Sequence, residues 1–66
     1  MIKLTIDKVL DSKGISRYML SKSTGIQYQI IDNYYKNQVK RYDSYILDRI
    51  CAALDCDISD IIEYKK

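Results

Sequence analysis

The chain contains no histidine and no proline, and it has only two glycines and two cysteines. Each scarcity excludes something. Without histidine, and with Cys51 and Cys56 five positions apart rather than in a CxxC pair or a zinc knuckle, a structural metal site has too few ligands. Both cysteines therefore read as small core residues. There is no glycine-rich phosphate loop, no nucleophile with a plausible base, and at 66 residues too little mass to enclose a substrate pocket. An enzyme, a bound cofactor and a small-molecule substrate are all unexpected. The longest apolar run spans Ile50 to Leu54, far short of the roughly 20 residues that cross a bilayer, and no basic-then-apolar leader opens the chain. The expectation is one soluble domain over residues 1–66, with no membrane partner and a cytoplasmic location.

What is present is an uneven spread of charge. Hydrophobic residues make up 47% and charged residues 30%, which is too apolar for a disordered tail. The net charge is only +2, yet Lys13, Arg17, Lys22, Lys36, Lys40 and Arg41 face a single acid, Asp32, within their stretch. From Tyr42 to Tyr64 the balance reverses, with six acids against Arg49 alone. A basic middle and an acidic end give the molecule one face that attracts polyanions and another that repels them.

Glycine and asparagine punctuate a helical pattern. Gly14 and Gly25 each follow a stretch of helical periodicity, where glycine can take the left-handed conformation that closes a helix. Ile6, Val9 and Leu10 recur at i, i+3, i+4 and predict a first helix from about Thr5 to Lys13. Ser16 stands as an N-cap for a second, Arg17 to Thr24, with Leu20 inward. A third runs from about Gln27 to Lys36, closed by Asn37 in the left-handed region. Asp43 or Ser44 caps a fourth, in which Leu47, Ile50, Cys51 and Leu54 form an apolar stripe. Asp57 and Asp60 suggest a capping box for a fifth, terminal helix with Ile58, Ile61 and Ile62 on its apolar side. The expected fold class is all-α, five short helices without strands.

The third helix carries the functional signal. At about 100° per residue, with Tyr28 at zero, Asp32, Lys36, Gln29 and Asn33 fall between about 40° and 140°, while Ile30, Tyr34 and Ile31 fall between about 200° and 300°. An ordinary solvated arc would be built from Glu and Lys; this one carries phenol, amide and carboxylate. Gln29 and Asn33, one turn apart, each pair a donor with an acceptor and match the N6 and N7 edge of adenine. Tyr28 can cover a thymine methyl or reach a phosphate, and Asp32 can accept from cytosine N4 or serve as a partner for Arg17 or Lys36.

The segment "GISRYMLSKSTGIQYQIIDNYYKN" resembles the helix-turn-helix of the lambda-repressor-like family, the Cro and XRE group of phage and bacterial regulators. Leu20, Gly25, Ile26 and Ile31 stand at its spacing, and "LDRICAALDCDISDII" is similar to the fourth and fifth helices that close this family's compact five-helix DNA-binding domain. The resemblance covers about Ile6 to Ile62 and is to the minimal, single-domain members. It implies a transcriptional regulator, of repressor type, that binds double-stranded DNA without a cofactor or metal. The second helix would cross the phosphate backbone and the third would enter the major groove, with Gln27, Tyr28 and Gln29 leading and Asn33 deeper. Arg17, Asn37, Lys40 and Arg41, with Lys22 and Lys36 behind them, take the phosphate positions. Asn37 stands where the family usually has glycine, and Gln27 where it usually has Ser or Thr. A homodimer formed on DNA is the implied assembly. Seven tyrosines exceed the pattern; Tyr34 and Tyr42 suit the core, while Tyr18, Tyr35 or Tyr45 would suit an alternative use of the fold as a protein-interaction module.

Overall fold

The computed structural model describes residues 1–66 in the order β1 (Ile2–Leu4), α1 (Ile6–Lys13), α2 (Arg17–Thr24), α3 (Tyr28–Tyr35), α4 (Ser44–Leu54), α5 (Ile58–Ile61) and β2 (Ile62–Tyr64). Ten apolar residues are buried, and every helix contributes: Ile6 and Leu10 from α1, Leu20 from α2, Ile31 and Tyr34 from α3, Ile50 and Leu54 from α4, and Ile61 from α5. Leu4 and Ile26 complete the centre from β1 and from the α2–α3 corner. No helix is long and apolar enough to cross a membrane.

Helix ends follow local chemistry. Ser16 Oγ accepts from the Met19 N–H at 3.1 Å, and Asp43 Oδ1 accepts from the Tyr45 N–H at 2.8 Å, so α2 and α4 start on side-chain caps. Tyr34 is buried, and its hydroxyl accepts from the Asp43 N–H at 3.0 Å, which ties the end of α3 to the start of α4. Asn37 and Asp55 both adopt positive φ, at 59° and 52°. Asp55 closes α4 in the left-handed region, where the side chain is a strain that glycine would not carry. Asp55→Gly is therefore expected to stabilise the fold by about 0.5–1 kcal/mol in thermal denaturation. Asn37→Gly should give no such gain, because Asn37 Oδ1 accepts from the Leu4 N–H at 3.0 Å and glycine would strand that donor at a cost of about 1 kcal/mol.

Two expectations need correction. The ends of the chain are not purely helical: β1 and β2 pair antiparallel, with Ile2 opposite Tyr64, Lys3 opposite Glu63 and Leu4 opposite Ile62. A two-stranded ribbon is marginal alone. Here it is held by buried Leu4, by the Asn37 side chain, and by Thr5, whose N–H and hydroxyl donate to the carbonyls of Ile61 and Asp60 at 2.7 and 2.9 Å. Consequently α5 is a single turn. Asp57 and Asp60 do form its capping box, Asp60 Oδ2 accepting from the Asp57 N–H at 2.9 Å, but Ile62 belongs to β2 and Ile58 is 49% exposed rather than inward.

Candidate nucleic-acid interface

The corner between α2 and α3 is closed by its own side chains. Gly25 caps α2 at φ 73°, and its N–H donates to the Ser21 carbonyl. An alanine Cβ there would meet only the Arg49 guanidinium at 3.8 Å, so the demand for glycine is conformational rather than steric. Ser21 Oγ donates to the Ile26 carbonyl at 2.6 Å; buried Thr24 donates its hydroxyl to the Leu20 carbonyl at 2.8 Å and accepts from the Ile26 N–H at 3.2 Å. Arg49, reaching over from α4, donates through Nε and Nη2 to the Thr24 carbonyl at 3.2 and 2.7 Å. The corner is thus pinned from both sides, which fixes where α3 begins. Charge asymmetry alone gave Arg49 no such role, and its partner lies 25 residues away, where no local pattern reports it.

Gln27 occupies the N-cap position of α3 without a side-chain cap bond, which leaves its amide free and exposed. Tyr28 and Gln29 follow, both exposed, and Asn33 is half-buried one turn further on. Gln29 Nε2 donates to Asn33 Oδ1 at 3.2 Å. The two amides are therefore linked, leaving the Gln29 carbonyl oxygen and the Asn33 amino group outward as one acceptor and one donor. Ile30, assigned to the inward arc, is 36% exposed and lines an open groove beside Asn33, Lys40 and Arg41. The loop that carries Lys40 and Arg41 thus lies beside Asn33 of α3.

Of the two uses open to Asp32, the structure takes the partner for Arg17 and Lys36. Asp32 is not an open base-edge acceptor but 8% exposed, with Oδ1 at 2.6 Å from Arg17 Nη1 and Oδ2 at 3.0 Å from Lys36 Nζ. The hydrogen bond from Lys36 and the one from Arg17, with the charges of both, outweigh desolvation and hold the carboxyl below its ordinary value, so it is ionised throughout the neutral range. The wheel placed it at the edge of the polar arc; what buries it is Arg17 folding over it from α2, a contact across 15 positions. Arg17 also lies over the Tyr35 ring, 4.6 Å from its centroid, and Tyr35 is partly buried against the core.

Of the other phosphate candidates, Lys22, Lys36, Lys40 and Arg41 are exposed, Lys22 resting over the Tyr18 ring at 5.4 Å. Asn37 is corrected in part. Its N–H donates to the Tyr34 carbonyl and its Oδ1 is taken by Leu4, so only its amino group remains to meet an anion. The neighbouring Gln38 N–H is used by the Asn33 carbonyl at 2.9 Å. The loop therefore offers the basic side chains of Lys40 and Arg41, while the first two of its backbone N–H groups, those of Asn37 and Gln38, are already used within the fold. Burial pushes both thiols up, Cys56 to about 11, so Cys51 and Cys56 stay protonated at neutral pH.

Residues 5–66 match the family of Cro/C1-type HTH DNA-binding domains. The SPbeta prophage-derived, uncharacterized HTH-type transcriptional regulator YopS of Bacillus subtilis (strain 168) is 38% identical over 72 residues, spanning 98% of this chain and 95% of that protein. The crystal structure of a candidate DNA-binding protein from Bacteroides fragilis superposes with a TM-score of 0.82 at 21% identity, covering 96% of this chain and all of that one, a likeness of fold alone.

Proposed function

The chain belongs to the Cro/C1-type HTH DNA-binding domains, and from that premise we propose that it is a cytoplasmic repressor that reads operator DNA with the first turn and polar face of α3. Gln27, Tyr28, Gln29 and Asn33 meet base edges in the major groove. Lys22, Lys40 and Arg41 grip the flanking phosphates, with Arg17 and Lys36 adding what charge Asp32 leaves them. A second copy binds the neighbouring half-site, about one helical turn away, so that the dimer forms on DNA. Repression follows from occupancy of the promoter.

The observation that carries this reading is the linked pair of exposed Gln29 and half-buried Asn33, the latter lining a groove with Lys40 and Arg41. Neither amide is needed by the core. A fluorescence-polarisation titration with random-sequence duplex tests it: affinity should be measurable at low salt and fall along a straight line in log[salt], with a slope near −3.6 for about four effective cations per protomer. Lack of binding at low salt would instead favour a protein-interaction role, for which the supporting observation is exposed Tyr18, Met19 and Tyr45.

A further inference from the structure

Asp32 is the sole acid between Lys13 and Arg41, and it lies under the face read here as DNA-facing. A carboxylate so placed is unexpected. It repels phosphate and must be desolvated, so a residue serving only to fill space there would be apolar. Instead it is buried beneath two cations from different helices, at 2.6 Å from Arg17 of α2 and 3.0 Å from Lys36 of α3. The two cations remain reachable, with side chains 36% and 50% exposed, and Arg17 is held from its other side by the Tyr35 ring.

We propose that Asp32 is a positioning residue that sets DNA selectivity: its buried carboxylate fixes where Arg17 and Lys36 point and cancels one of their two charges, thereby weakening binding to DNA of arbitrary sequence. The inference rests on the DNA-reading role of α3. Three cations, Lys22, Lys40 and Arg41, are free to neutralise phosphates, and the Arg17–Asp32–Lys36 cluster supplies one more net charge rather than two. Non-specific affinity grows with each neutralised phosphate whatever the sequence, whereas an oriented contact adds only where the bases place the backbone in register. Restraining Arg17 and Lys36 therefore costs affinity everywhere and keeps discrimination. A merely structural bridge between α2 and α3 would affect stability and leave the salt dependence alone.

The test is Asp32→Asn, folded by circular dichroism, titrated with random-sequence duplex and with a duplex selected by the wild-type protein. Releasing one charge should steepen the salt slope by about 0.9 and raise random-sequence affinity about eightfold at 0.1 M salt. The ratio of selected to random affinity should fall, because the released charge strengthens both complexes while the oriented contacts of Arg17 and Lys36 are lost only on the selected duplex. An unchanged slope and ratio in the folded variant would overturn the proposal. If Asp32→Asn does not fold, Lys36→Gln and Lys40→Gln decide the matter. An oriented Lys36 should lose more affinity for the selected duplex than for random DNA, while Lys40→Gln weakens both alike; equal behaviour of the two variants would overturn it. Wild-type protein that binds neither duplex defeats the DNA-reading role itself, a result distinct from wild-type binding with unaltered variants.

Discussion

Ile31→Ala is expected to cost about 2–5 kcal/mol, because it deletes a fully buried β-branched side chain and leaves a cavity that short helices close only in part. Ile31 is 0% exposed and belongs to the ten-residue core. For a chain of this length the whole stability is about 3–10 kcal/mol, so the substitution should remove a large share of it and move the denaturation midpoint well down. Ile30→Ala, one position earlier, removes a side chain already 36% exposed and should cost about 1 kcal/mol or less. Urea denaturation followed by circular dichroism compares them. Equal losses would mean that α3 is rotated about its axis from the orientation described, and with it every side chain placed on the groove.

The second large effect falls on recognition instead of folding. Gln29→Ala with Asn33→Ala should lower affinity for a selected duplex about 100-fold or more, since a good bidentate base contact is worth about 1–3 kcal/mol. Random-sequence affinity and its salt slope should stay as they are, because neither side chain is charged. The two losses should not add. Gln29 Nε2 donates to Asn33 Oδ1, so removing either residue also releases the other from its fixed orientation, and the first substitution should take most of the effect. Polarisation titrations of the two single variants and the double measure the coupling directly.

Much of this architecture was legible because its determinants are local. The second helix runs over Arg17–Thr24 as its cap and closing glycine indicate, and Asn37 takes the left-handed conformation expected where a glycine is replaced by its nearest substitute. Apolar spacing likewise located Ile31, Ile50 and Leu54, because a period near 3.6 is a property of one segment. What escaped is non-local. The β-ribbon joins residues 2–4 to residues 62–64, and three-residue strands carry no periodicity long enough to read. The same ribbon cuts the last helix to one turn and turns Ile58 outward. Asp32 and Arg49 are instructive for the site: a helical wheel assigns a face, but whether a polar residue on that face is open depends on which side chain from another helix covers it. For Asp32 that residue is Arg17; for Arg49 the target is a carbonyl on α2.

The proposed reading of base edges by the coupled Gln29–Asn33 pair is most directly tested by selecting duplexes from a random pool with the wild-type protein and with the Gln29→Ala variant. The wild type should enrich a defined motif, repeated with two-fold symmetry if the second copy binds as described, and the variant should lose its preference at the positions that Gln29 and its coupled neighbour Asn33 read while keeping the rest. A wild-type pool that shows no enrichment, or an identical motif from both proteins, would contradict the account.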